Sequence, residues 1–127
     1  MTKIKFDKTE GLIKIAAKVS GSEKKDYGII LAIDTGSYLT TLRPEVLTRI
    51  GFPATNEQVL LIGVSESIRV NLAQVSKLSV AGITVENYKV ANHNLSSAYD
   101  IDGVLGNDFL RQHKICIDFP NGIISIE

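Results

Sequence analysis

The chain lacks most of what metal, disulfide, nucleic-acid or membrane chemistry requires. It has one cysteine, Cys116, and two histidines, His93 and His113. An intrachain disulfide is therefore excluded, no Cys/His cluster shows zinc-site spacing, and neither a metal nor a cofactor is expected. Such sparing use of cysteine suits a reducing, cytoplasmic setting. Fourteen basic and fourteen acidic residues cancel, leaving no basic surplus for nucleic acid and no polybasic stretch for a membrane surface. Long apolar runs are missing too. The longest, Gly28 to Ile33, is far short of the ~20 residues that cross a bilayer as a helix. The opening Met1-Thr2-Lys3-Ile4-Lys5-Phe6 carries lysines with no apolar stretch behind them, so a secretory signal is not expected. Linkers, repeats and low-complexity segments are absent, and 127 residues fit one domain, taken as 1–127.

What the chain does have is strand language. Short runs of β-branched residues are separated by Gly, Asn, Asp and Ser, which predicts an all-β protein. Strands are expected at 11–19, 27–33, 59–62, 68–72, 78–80, 83–85, 115–119 and 123–126, with 88–91 extending the sheet. The run 27–33 is apolar on both faces and predicts a central strand. Gly63-Val64-Ser65-Glu66-Ser67 and Ala81-Gly82 mark two hairpin tips, and Pro120-Asn121-Gly122 a third. A short helix starts with Pro44 in its first turn, shows Val46, Leu47 and Ile50 on one face, and stops at Gly51. A second is expected over 107–113, with Asn107 as N-cap, Asp108 in its first turn, and Arg111 and His113 at its end.

The most chemical stretch is Ile29-Ile30-Leu31-Ala32-Ile33-Asp34-Thr35-Gly36-Ser37. An apolar strand that ends in an acid needs hydrogen bonds for that acid, because an unsupported buried charge is costly. Taken alone, the stretch fits a strand-to-turn junction with an Asx-type turn. Downstream, however, Val104-Leu105-Gly106 leads directly into Asn107-Asp108-Phe109-Leu110. With a hairpin-rich segment between them, these two anchors resemble the single-lobe aspartic proteases of the retropepsin type, from about Gly11 to Ile126.

The resemblance implies a small closed or nearly closed β-barrel of the single pepsin-lobe kind, with two short helices. It also implies an aspartic endopeptidase, in which two carboxylates share one proton and serve as general base and general acid around a water. Like charges about 3 Å apart cannot both ionise, which divides these roles. Since this chain has one Asp-Thr-Gly, the second carboxylate has to come from a second copy. The resemblance thus implies a homodimer with two Asp34 side chains on its two-fold axis, acting on a peptide or protein substrate.

By the same resemblance, Gly36 offers its N–H to the carboxylates, Thr35 bonds across the axis, and Ser37 donates to an outer oxygen of Asp34. Val104, Leu105 and Gly106 pack under the loop as scaffold. Gly63, Val64, Ser65, Glu66 and Ser67 form a flap over the substrate. That tip has one glycine and no aromatic, unlike many relatives, so a dimerisation or peptide-binding module with little activity is the alternative. Lys3 to Phe6 and Ile123 to Glu127 are candidates for a further dimer contact through unpaired strand edges.

Other chemistry is less well supported. Asp100 and Asp102 precede Gly103 but lack the remaining ligands and closing Glu of a calcium loop. Ser37 lies in no G-x-S-x-G elbow. Cys116 alternates with Ile115 and Ile117 and is expected to be a packed strand residue rather than a nucleophile.

Overall fold

The structure, a computed structural model, describes residues 1–52 and 55–127. In chain order the elements are β1 (Thr2–Lys5), β2 (Lys14–Ser20), β3 (Asp26–Ile33), β4 (Thr41–Leu42), α1 (Pro44–Ile50) and β5 (Gln58–Ile62). They continue with β6 (Ser67–Val80), β7 (Ile83–Asn92), β8 (Gly103–Leu105), α2 (Asn107–Leu110), β9 (Ile115–Asp118) and β10 (Ile123–Ile126).

Seven strands are ordered β2-β3-β8-β4-β7-β6-β5, and a further β2–β6 pairing closes six of them into a barrel. That leaves β5 outside the closure, held by β6 alone. The other three strands form a small sheet, β1-β10-β9. Barrel strands alternate in burial as a half-buried pleat requires: Ile15, Ala17 and Val19 of β2 face inward while Ala16 and Lys18 face out. Leu31, Leu42, Leu47, Leu78, Val80, Leu105 and Phe109 are fully buried within this interior.

α1 forms as its sequence predicts, with Pro44 in the first turn and Val46, Leu47 and Ile50 packed inward. Gly51 ends it in the left-handed region, at φ 88°, where a side chain would be strained. Ala81 and Gly82, at φ 54° and 80°, make the tight β6–β7 turn, whose twist matches that of the flanking strands.

Four expectations need correction. First, 67–80 is one strand of 14 residues rather than two pieces. Pairing with β7 carries it past Gln74 and Ser76, and the Ser76 hydroxyl donates to the Gly21 carbonyl at 2.8 Å. Second, α2 stops at Leu110 and Asn107 does not cap it; Gly106 occupies the cap position with extended backbone, which frees the Asn107 side chain for other use. Third, Cys116 is exposed, because the face of β9 that it occupies is not covered. Fourth, β10 is paired on both sides, with β1 and with β9, so Ile123 to Ile126 offers no free edge to a partner.

The barrel interior predicts its own sensitivity. Leu78→Ala removes a fully buried side chain near the closure and should lower stability by about 2–5 kcal/mol. Urea unfolding should show a lower midpoint at unchanged slope; a loss well under 1 kcal/mol would contradict close packing at this position.

Candidate active site

β3 delivers Asp34 to the end of the barrel, where parallel pairing with β8 sets its height: Ile33 lies opposite Leu105, and the Asp34 N–H donates to the Leu105 carbonyl at 3.0 Å. The chain then turns sharply. Gly36 N–H donates to Asp34 Oδ1 at 2.9 Å and Ser37 N–H to the Asp34 carbonyl at 3.2 Å, an Asx turn closed on the carboxylate itself. A Cβ on Gly36 would lie 3.2 Å from Oδ1, so this position favours glycine for space. Among the described residues Asp34 Oδ2 accepts no hydrogen bond. The side chain is half-buried, while Thr35 and Gly36 are exposed.

The loop rests on the segment from β8 into α2. The Asn107 amide side chain donates to the Thr35 carbonyl at 2.7 Å. The Asn107 and Asp108 N–H groups donate to the Ser37 and Tyr38 carbonyls at 2.7 and 3.1 Å. These first-turn amides have no partners inside their own helix, so the loop supplies them. Contact is that close because Gly106 lacks a side chain: a Cβ there would lie 2.5 Å from the Leu39 carbonyl carbon.

Beneath the loop, Asp108 Oδ1 accepts from the Thr40 N–H at 2.8 Å and the Thr40 hydroxyl at 2.9 Å, and Oδ2 accepts from the Tyr88 hydroxyl at 2.7 Å. Thr40, fully buried, in turn accepts from the Gly106 N–H at 3.1 Å. Burial, reinforced by the adjacent Asp108 carboxylate, pushes the Tyr88 hydroxyl well above its ordinary pKa.

Two cavities meet at Asp34. One, about 220 Å³, lies between the loop and the β5–β6 hairpin, with Asp34 and Tyr38 on one wall and Ile62, Gly63, Glu66 and Ile68 on the other. The Tyr38 hydroxyl donates to the Leu60 carbonyl, tying the loop to the hairpin. At its tip the Gly63 N–H donates to the Glu66 carbonyl at 2.8 Å, and Val64 is wholly exposed. The second cavity, about 300 Å³, is largely apolar and lined by Leu12, Ile33, Leu95, Tyr99 and Ile101 beside Asp34. Arg43 fixes its outer loop through bonds to the Ile101, Leu95, Ser96 and Tyr99 carbonyls at 2.6, 2.6, 2.9 and 3.0 Å.

The structure places Asp34 and Gly36 in one loop, next to Leu105 and Gly106, and sets Gly63 and Glu66 of the β5–β6 hairpin across a cavity from them. It places the Ser37 hydroxyl elsewhere, donating to the Leu39 carbonyl at 2.7 Å, where it shapes the loop. Asn107, Thr40, Tyr88, Asp108, Tyr38 and Arg43 were not read as site residues. Their side chains act on backbone or on partners far along the chain, and local pattern carries no sign of that. Asp102, read as a loop acid, accepts from the Ile30 N–H at 2.8 Å. Among the described residues no three His, Cys, Asp or Glu side chains are placed to hold a metal. No described helix is long and apolar enough to cross a membrane.

Two expected outcomes follow from this floor. Gly106→Ala forces backbone apart and should cost about 1–3 kcal/mol, with faster hydrogen exchange confined to the 34–40 loop; unchanged exchange there would contradict the contact. Tyr88 binds its proton more tightly folded than unfolded. The stability it contributes is therefore complete below its unfolded pKa of about 10 and is lost as pH rises above that value. Denaturation between about pH 8 and about pH 11 should show a steep alkaline fall that Tyr88→Phe flattens.

Comparison with known proteins agrees with this geometry. A sequence profile of the family described as aspartyl protease matches residues 16–109, a span that includes both the Asp34 loop and the segment beneath it. No curated protein matches significantly in sequence. Among solved structures, that of a retropepsin-like aspartic protease from Rickettsia conorii matches with a TM-score of 0.68 at 20% identity, covering 98% of this chain and 87% of that one. At that identity what is shared is the fold. With the family profile spanning most of its length and a retropepsin-like barrel around it, the chain belongs to the aspartyl protease family.

Proposed function

We propose that the chain is an aspartic endopeptidase, active as a homodimer in which two Asp34 carboxylates flank one water. The observation that carries this is the setting of Asp34: one oxygen is held by the Gly36 N–H, the other is unengaged, and both cavities open onto it. A single carboxylate cannot take a proton from the attacking water and protonate the substrate carbonyl in the same step. A two-fold pair can. The ionised Asp34 takes a proton from water as its oxygen attacks the peptide carbon. The protonated Asp34 gives its proton to the carbonyl oxygen. The amide nitrogen then takes the proton held by the first Asp34, the second Asp34 takes a proton from the gem-diol, and the C–N bond breaks to release a carboxylic acid and an amine.

Thr35, exposed at the loop apex, is the residue assigned to bond across the axis. Leu105 and Gly106 hold the loop and do no chemistry. Residues 63–67 act as the flap, covering an extended peptide and excluding water. We take 1–127 as one catalytic domain and place it in a reducing, cytoplasmic compartment on its cysteine content. The second reading, a peptide-binding or dimerisation module, is favoured by a hairpin tip with one glycine and an exposed valine in place of an aromatic.

Sedimentation paired with cleavage of an unfolded protein separates these readings. Wild type should be dimeric and cleave, and Asp34→Asn should stay dimeric with cleavage reduced roughly a thousandfold or more. A folded monomer at high concentration would sink the shared site. Undiminished cleavage by Asp34→Asn would remove Asp34 as the catalyst. A dimeric wild type that binds peptide without cutting it would favour the module.

A further inference from the structure

A cavity of about 620 Å³ lies away from Asp34 on the outer face of the barrel, with Ala16, Lys18, Gly28, Ile30, Ala81 and Asp102 among its lining residues. Its significance comes from the backbone of β3. In a strand, successive residues direct their N–H and C=O groups to opposite neighbours. Ile33 N–H donates to the Ile13 carbonyl just before β2, whereas Asp34 N–H donates to the Leu105 carbonyl of β8. Odd-numbered residues of β3 therefore face β2, and even-numbered ones face the β8 side.

On that side β8 reaches back only to Gly103, opposite Leu31. Asp102 satisfies one more position: its carboxylate accepts from the Ile30 N–H, and its own N–H donates to the Ile30 carbonyl, both at 2.8 Å. No strand runs alongside β3 beyond that point among the described residues. The N–H and C=O groups of Gly28 and Asp26, two residues that line the cavity, therefore face that open side with no backbone partner among the described residues. Both residues are exposed, and a Cβ on Gly28 would meet nothing within 4 Å. Beside this edge, Ala16, Ala81 and the 38% exposed Ile30 provide a shallow apolar floor.

We infer that this groove binds an extended polypeptide segment, which adds as a strand to the open edge of β3 and sets an apolar side chain on Ile30. An open strand edge bordering the groove is complementary to another extended backbone: main-chain bonds give affinity, and alternate side chains give selectivity. The occupant assigned is a distal segment of an unfolded protein substrate, an assignment that rests on the peptidase reading. β3 itself joins the two sites, since Gly28 and Asp34 are six residues apart, or about 20 Å along a strand. A chain held at the groove raises the effective concentration of its neighbouring segments at the cleft. The groove therefore selects for long, unfolded chains over short peptides.

The test is amide hydrogen exchange, followed by NMR on the full-length Asp34→Asn chain, with and without a soluble peptide of alternating threonine and valine. Exchange at Gly28 and Asp26 should slow by roughly tenfold or more with peptide. Gly28→Val, whose side chain projects into the groove, should abolish that effect while peptide responses in the 34–38 loop persist. If Gly28→Val does not fold, Ile30→Glu on the same exposed face makes the same test. Unchanged exchange at Gly28 and Asp26, or protection that survives in a folded groove variant, overturns the inference. Protection at β3 with no response in the 34–38 loop supports the groove and counts instead against the peptidase reading.

Discussion

Two backbone segments 66 residues apart in sequence meet at this site without a side chain between them. Gly106 lies against Leu39 and Thr40 so closely that even a methyl group would collide with the main chain. The geometry around Asp34 depends on that approach. Only at that separation can the Gly106 N–H reach the Thr40 hydroxyl and the first amides of α2 reach the Ser37 and Tyr38 carbonyls. The approach is set in turn by the parallel β3–β8 pair. Parallel neighbours require a long crossover, and here the crossover contains β4, α1 and the hairpins of β5, β6 and β7. The barrel is thus the connection that places one short segment beneath another.

The two acids near this contact have opposite surroundings. Asp108 accepts from three donors through both its oxygens, Thr40 N–H, the Thr40 hydroxyl and the Tyr88 hydroxyl. A carboxylate so paired rigidifies its neighbourhood, whereas a half-satisfied one would destabilise it. Asp34 receives one amide from its own turn and opens onto two cavities. What separates them is the number of donors, which makes Asp108 a structural fastener and leaves one oxygen of Asp34 without a donor among the described residues.

Much of this was legible in the sequence, for identifiable reasons. Hairpin tips at Gly63 and at Ala81-Gly82 announce themselves because turns need particular residues. α1 is bounded by Pro44 and Gly51 for the same reason. The candidate site was marked in the sequence by Asp34 and Gly36 and by Val104-Leu105-Gly106, whose order resembles a known pattern. What escaped was long-range. Asn107 reads locally as a cap, yet its amide reaches Thr35, 72 residues away; Arg43 reads as a helix-flanking cation, yet it gathers four loop carbonyls. The unbroken length of β6 escaped likewise, because pairing with β7 overrides local polarity. Ser37 shows the limit of motif transfer: the residue matches, but its hydroxyl finds Leu39 first.

The two walls of the cleft are held by different numbers of contacts. β5 is outside the barrel closure and pairs along one edge only. The base of its hairpin is pinned, since Thr55 N–H and hydroxyl both donate to the Leu72 carbonyl and Leu72 N–H donates to the Glu57 carbonyl. Halfway up, Tyr38 holds the Leu60 carbonyl. Beyond Leu60, among the described residues, the hydrogen bonds of residues 61–67 are those of the hairpin itself, and Val64 projects into solvent. The flap motion proposed for this hairpin would therefore fall in this last stretch, above the Tyr38 tether. For the proposed flap, a tip with a single glycine would suffice, because a two-stranded ribbon is weakly stable by itself and its bending would be distributed over the free end rather than concentrated in the turn.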